Sequence, residues 1–175
     1  MKRLYLLRHA KSSWDDPELA DRDRPLAQRG RDAAKTMAQH LRREGVAPEL
    51  VLCSPSARTR QTLAGITPGL GENADVRIED ELYAASAATL LELLHELPDE
   101  VGSVMLIAHN PGIQDLALNL AGGGAAVERV RSKFPTAALA TLELDVSWHE
   151  LEPGGAELVT FVKPKDLKRG AAGGA

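Results

Sequence analysis

An arginine and a histidine stand side by side at Arg8-His9, where the apolar run Leu4-Tyr5-Leu6-Leu7 turns abruptly polar. A guanidinium offers paired N–H donors that fit an oxyanion, and an unprotonated imidazole nitrogen is a nucleophile. The pair is suited to gripping a phosphate while a ring nitrogen attacks it. A second arginine, Arg58, follows Ser54-Pro55-Ser56-Ala57, and a second histidine opens His109-Asn110-Pro111-Gly112. A phosphoryl group in transfer spreads its charge over the equatorial oxygens, so positioned cations do most of the work. On this scheme His9 attacks phosphorus, Arg8 and Arg58 hold the oxygens, and His109 donates to one of them. A free histidine titrates near ~6.5, and two guanidiniums close by are expected to lower that and keep the attacking nitrogen bare. The other nitrogen needs an acceptor, a backbone carbonyl, to fix the tautomer. Water then hydrolyses the phosphohistidine, and no metal or cofactor is called for.

Further residues are weighed against blander readings. Glu81, in Glu79-Asp80-Glu81, is the candidate general acid for the leaving group, although such acidic clusters are more often solvated faces. Lys11 is read as a cation at the pocket mouth or as a solvated side chain. Asn110 is read as a helix cap first and a phosphate ligand second. Cys53 and Arg58 suggest a cysteine-based phosphatase only until the spacing is counted. That loop needs five residues between Cys and Arg, and here Thr59 stands where the arginine should be. Cys53 is therefore a small buried hydrophobe. His40, His95 and His149 lie among helix and turn residues and are packing or surface groups. A zinc site needs several ligands at close spacing, and histidines ringed by arginines are the wrong environment for a cation.

The elements that must position these residues follow from periodicity. Short apolar runs at Leu4–Leu7, Leu50–Cys53 and Val104–Ala108 read as buried strands, and Val76–Ile78 as a brief one. A helix from Leu26 carries Ala33, Ala34, Met37, Ala38 and Leu41 on one stripe and stops at Gly45 and Pro48. Ser54-Pro55 supplies an N-cap and a first-turn proline for a second helix running to about Ile66. Leu90, Leu91, Leu94 and Leu97 mark a third helix. Ile113, Leu116, Ala117 and Leu120 mark a fourth, ended by Gly122-Gly123-Gly124. Ala137–Val146 partly alternates, and Glu157–Val162 returns after Pro153-Gly154-Gly155 as its antiparallel partner. Asp15–Arg24 reads as a charged surface loop. Strands alternating with helices predict a three-layer α/β/α sandwich, mostly parallel, with a C-terminal antiparallel hairpin. Residues 1–165 then form a single domain and 166–175 a flexible C-terminal tail. Parallel strands one, two and four would end on one sheet edge, where open α/β sheets place ligands. Three distant segments would thus deliver two arginines and two histidines to one crevice.

Composition narrows the class. The 175 residues carry a net charge of −4 spread over mixed-sign segments, which argues against a nucleic-acid or membrane-surface partner. A single cysteine rules out an internal disulfide framework and fits a reducing compartment. The apolar run behind Met1-Lys2-Arg3 ends at Arg8, too short for a secretion signal, and the expected location is cytoplasmic.

Leu6-Leu7-Arg8-His9-Ala10, then Arg24-Pro25-Leu26 with Gly30, then Ser54-Pro55-Ser56-Ala57-Arg58 with Gln61-Thr62, then Ile107-Ala108-His109-Asn110 fall in order along the chain. Together they resemble the histidine phosphatase superfamily, and within it the compact SixA-type phosphohistidine phosphatase branch. The resemblance implies a phosphoglycerate mutase-like fold, His9 as the phosphorylated nucleophile, and Arg8, Arg58 and His109 as the rest of the phosphate pocket. The family's usual glycine after the histidine is Ala10 here, a change the pocket is expected to tolerate. The general acid is poorly defined in this branch, which leaves the role of Glu81 open. The long insertions of the mutase branch have no room in this chain. A compact, open site implies a phosphorylated protein substrate, with phosphohistidine first, acted on by a monomer. The alternatives are a small phosphoester substrate or a phosphate-binding module without turnover.

Overall fold

Leu4 and Leu6 are buried on one side of the first strand, Tyr5 and Leu7 on the other. A strand apolar on both faces needs cover on both, and the chain supplies it in alternation. The computed structural model describes residues 1–173. In order these form β1 (Lys2–Arg8), α1 (Gln28–Arg43), β2 (Leu50–Cys53), α2 (Ala57–Ile66), β3 (Asp75–Ile78) and α3 (Ala87–His95). Then come β4 (Ser103–Ala108), α4 (Gly112–Leu120), α5 (Ala125–Ser132), β5 (Leu139–Leu144), β6 (Glu157–Val162) and α6 (Pro164–Gly173). The six strands make one sheet in the order β3-β2-β4-β1-β5-β6. The first four strands run parallel, and β5 and β6 are antiparallel. This is the phosphoglycerate mutase-like three-layer α/β architecture.

The side-chain period of two sorts the cover. Leu4, Leu6, Leu52 and Leu106 pack with α3, α4 and α5. Tyr5, Leu7, Val51 and Ile107 pack with α1, the end of α2, and Leu167 of α6. Each fully buried leucine of this kind stabilises the fold by roughly 1.5–3 kcal/mol relative to an exposed one. Among the described residues, no helix is long and apolar enough to cross a membrane.

Three expectations are corrected. The cap of α2 is Ser56, not Ser54. Its Oγ accepts from the Thr59 N–H, while the Ser54 hydroxyl is engaged elsewhere, by His109. The glycines at 122–124 do end α4, but they open a further helix that periodicity missed. Gly123 and Gly124 take φ of +155° and +115°, which a side chain rarely tolerates, and α5 follows with only Val127 and Val130 buried. Two apolar positions are too few to register as a stripe. The tail expected to be flexible from residue 166 is instead helical to Gly173. Leu167 packs onto the core, and the Asp166 carboxylate accepts the Lys163 N–H and pairs with Arg129. Residues 174 and 175 lie outside the described residues.

Candidate active site

Register decides where the reactive side chains emerge. Arg8 is paired with Ala108 across β1 and β4, and Cys53 with Ile107 across β2 and β4. One step further along, the His9 N–H donates to the Ala108 carbonyl and the Ser54 N–H to the Ile107 carbonyl. His9, Ser54 and His109 therefore leave the sheet side by side at its carboxyl edge. The rings of His9 and His109 are 5.3 Å apart between centroids, and Arg58 Nη2 lies 3.4 Å from His109 Nδ1. All three side chains are nearly closed off from solvent. Arg8 joins them from the strand itself. Its Nη1 donates to the Phe134 carbonyl at 2.9 Å, while its buried Nε–H has no partner among the described residues.

The loop leaving His9 is held by residues whose purpose the sequence left unstated. The Ala10 N–H donates to Thr62 Oγ1, and the Leu26 N–H to Gln61 Oε1. Gly30 lets α1 pass under this loop. A Cβ there would lie 2.1 Å from the Lys11 carbonyl oxygen, well inside any tolerable contact. Arg24 is buried beneath the indole of Trp14 and donates to Ser12 Oγ, the Ser13 carbonyl and Asp21 Oδ1.

The tautomer of His9 follows from its neighbour. A carbonyl only accepts, so the 2.7 Å contact with the Ala10 carbonyl places the proton on Nδ1 and leaves Nε2 bare. The pKa of His9 is pushed down to about 3, chiefly by burial. The Ala10 carbonyl opposes this, and His109, Arg58 and Arg8 add smaller depressions. The guanidiniums thus contribute less than the sequence suggests. His109 is lowered to about 4, first by burial and then by Arg58. Its Nε2 lies 2.7 Å from Ser54 Oγ, a hydroxyl that can donate or accept and so serves either tautomer.

Two residues in the cluster were not singled out by sequence. Asp21, in the charged loop, accepts from Arg58 Nη2 at 3.0 Å through Oδ2, and its carbonyl accepts from Arg58 Nη1 at 2.7 Å. The Tyr83 hydroxyl donates to the same Oδ2 at 2.6 Å, and the Tyr83 ring meets His109 edge-on at 5.5 Å. These bonds, that from Tyr83 first, hold the Asp21 carboxyl down to about 2. No local pattern marks Asp21, because its partners lie 37 and 62 positions away. The acidic stretch was the nearest signal, but it is Tyr83 that turns inward. Glu81 is exposed and makes no hydrogen bond among the described residues, so the structure does not bring it to the cluster. Asn110 is committed to structure, its amide donating to the Phe134 carbonyl and its Oδ1 accepting the Gln114 N–H. Lys11 is exposed and lines a separate groove. Cys53 is buried, its thiol pushed up to about 12 by desolvation.

Removing the Asp21 carboxylate should free the donors of Arg58 for an anion. Asp21→Ala is expected to lower the inhibition constant for inorganic phosphate by roughly two- to fivefold, the range of a partly exposed charge pair. An unchanged or raised constant would show that Asp21 organises Arg58 rather than competing for it.

Acid should also weaken the fold. Both histidines are buried neutral, with pKa values of about 3 and about 4 against ~6.5 when unfolded. Between those limits the unfolded chain binds more protons, so stability rises with pH and is lost as pH falls below ~6.5. Urea midpoints should drop between pH ~6.5 and ~4, and this slope should flatten in His9→Gln/His109→Gln.

A sheet edge presenting two histidines, two arginines and an unshared imidazole nitrogen has the chemistry to hold an oxyanion, and the comparisons give the family of the chain. The model of the histidine phosphatase superfamily (branch 1) matches residues 4–110, and the chain belongs to that family. Its activity class is that of a phosphatase, a hydrolase. The chain is 40% identical over 163 residues to the uncharacterized protein Rv1276c of Mycobacterium tuberculosis, covering 91% of this chain and all of the relative. It is 31% identical to the phosphohistidine phosphatase SixA of Escherichia coli, over 83% of this chain and 87% of that one. A solved structure of the protein histidine phosphatase SixA with tungstate superposes with a TM-score of 0.78 at 28% identity, covering 94% of this chain and 99% of the other.

Proposed function

We propose that this protein is a metal-independent phosphohistidine phosphatase acting on phosphorylated protein side chains through a phosphohistidine intermediate on His9. The observation that carries the reading is the His9 ring, its Nδ1 bound to the Ala10 carbonyl and its Nε2 bare, 5.3 Å from the His109 ring between centroids, with Arg58 and Arg8 close enough to depress its pKa. In the first step His9 Nε2 attacks phosphorus and the bond from phosphorus to the substrate nitrogen breaks. The substrate imidazole, protonated on its other nitrogen, leaves neutral. The phosphorylated His9 ring then carries the positive charge, with Nδ1–H still held by the Ala10 carbonyl. In the second step water attacks phosphorus, the bond to Nε2 breaks, the hydroxyl stays with the phosphate and a proton passes to solvent. Arg8 and Arg58 neutralise the equatorial oxygens throughout, and His109 borders them, held between Ser54 and the Arg58 guanidinium.

The choice of leaving group has its own support. An alkoxide needs a proton as it departs, whereas imidazole leaves readily. The carboxylate bound to Arg58, that of Asp21, is held at about 2 and is ionised at neutral pH, so it has no proton to give. The relatives fit this choice, since SixA is named for phosphohistidine, and tungstate is a tetrahedral oxyanion like phosphate.

A chelator is the direct test. Hydrolysis of a phosphohistidine peptide should survive EDTA and thiol alkylation, and a rapidly quenched reaction should yield a phosphoenzyme that is labile in acid, stable in base and mapped to His9. Loss of activity in EDTA with recovery on adding a divalent ion would overturn the metal-independent mechanism. Loss on alkylation would revive Cys53.

A further inference from the structure

A groove of about 740 Å³ lies between the loop after His9, the start of α1, the segment 133–136 and the start of α6. Six basic side chains line it: Lys11, Arg29, Lys133, Lys163, Lys165 and Lys168. Among the described residues none of the six is in an ion pair. The one carboxylate in the lining, Asp32, already accepts from Gln28. Asp166, on the same helix as Lys165 and Lys168, is taken by Arg129 and the Lys163 N–H. The result is a local concentration of positive charge on a chain whose net charge is −4.

This groove adjoins the reaction centre through the backbone. The wall at 133–136 continues into Ala137, whose N–H is shared by the carbonyls of Arg8 and His9 at 3.1 and 3.0 Å. The Phe134 carbonyl within the wall is the acceptor for Arg8 Nη1. Lys11 follows His9 by two positions. A chain lying in the groove would therefore have its neighbouring residues beside the phosphoryl pocket.

We propose that the groove docks an acidic segment of the phosphorylated protein, next to the side chain whose phosphoryl group His9 accepts. The proposal rests on the protein-substrate reading above and adds the charge pattern that selects the protein. A protein segment suits the groove better than a nucleic acid, because among the described residues no aromatic side chain lines it for base stacking. A polyanion extending past the groove would also meet the acidic remainder of the surface, whereas a partner with its acids in one patch avoids it.

The test uses two synthetic peptides, each with one phosphohistidine, one flanked by a run of glutamates and one by serine and glycine. The triple variant Lys133→Glu/Lys165→Glu/Lys168→Glu changes exposed residues outside the reaction centre, and hydrolysis of 4-nitrophenyl phosphate checks that its centre is intact. At low salt the natural protein should favour the acidic peptide by about tenfold in kcat/KM, through KM, as a few exposed charge pairs allow. The variant should lose that preference while its 4-nitrophenyl phosphate activity is unchanged. Salt near ~0.5 M should erase the preference in the natural protein.

Equal rates on the two peptides, or a preference that persists in the variant, would overturn the docking proposal alone. Loss of 4-nitrophenyl phosphate activity in the variant would also overturn it, making these lysines supports of the centre. Hydrolysis of the small ester with neither peptide turned over would instead remove the protein-substrate reading, and docking with it. Stronger competition by short oligouridylate than by oligoglutamate, lost in the variant, would make the groove a nucleic-acid site and overturn the proposal.

Discussion

His9→Ala should eliminate turnover, with a fall in kcat of at least about 10⁴-fold, the scale on which an enzyme loses rate when its nucleophile is deleted. No neighbour can take the place of Nε2. His109 is tethered to Ser54 on one nitrogen and faces Arg58 with the other. The Cys53 thiol is buried and, at about 12, protonated at any working pH. Rapid quenching of the variant should recover no acid-labile phosphoprotein. Tungstate or inorganic phosphate should still bind, because Arg8, Arg58 and His109 all remain. This separates loss of chemistry from loss of the pocket. A variant that kept wild-type turnover would end the covalent mechanism. A natural protein that bound oxyanions but never turned over would be the phosphate-binding module considered from the sequence.

The second large effect belongs to Arg58. Arg58→Lys keeps the charge but loses the fork, and should lower kcat/KM by about 10²–10³-fold, with Arg58→Ala lower still. The planar group reaches the Asp21 carbonyl, the Asp21 carboxylate and the edge of His109 together, and an ammonium cannot span all three. Arg58 also depresses both histidines, so its removal should let their pKa values rise. The Asp21 carboxyl should rise as well, since Arg58 helps to hold it down. NMR titration of the ring protons would follow the histidines. A kinetic loss with no movement of His109 would mean that Arg58 acts on substrate alone. Full activity in Arg58→Ala would remove it from the pocket.

Much of this site could be read in one dimension because the motif residues sit at strand ends. Where a short apolar run stops at Arg8-His9, Cys53-Ser54 or Ala108-His109, the next residues must emerge at the carboxyl edge of a parallel sheet. The residues missed sit in no such position. Asp21 belongs to a charged loop resembling any solvated one, and gains its role only when Arg58 and Tyr83 arrive from distant segments. Tyr83 was passed over for Glu81 because a carboxyl looks like an acid, while side-chain direction on a single turn is set by packing. Helix α5 escaped because two valines make no stripe, and α6 because Leu167 is a lone apolar residue among charges.

The sequence alone determined the alternation of strands and helices and the family resemblance, and it singled out His9 as the candidate nucleophile, since these follow from local periodicity and from residue types at strand ends. Tertiary structure decided the rest. It set which carbonyl fixes the His9 tautomer, that burial more than arginine charge keeps the ring neutral, and that a loop aspartate holds Arg58. It also gathered six cations from four segments into one groove. Burial and ion pairing depend on groups far apart along the chain, and only the folded packing says which of them meet.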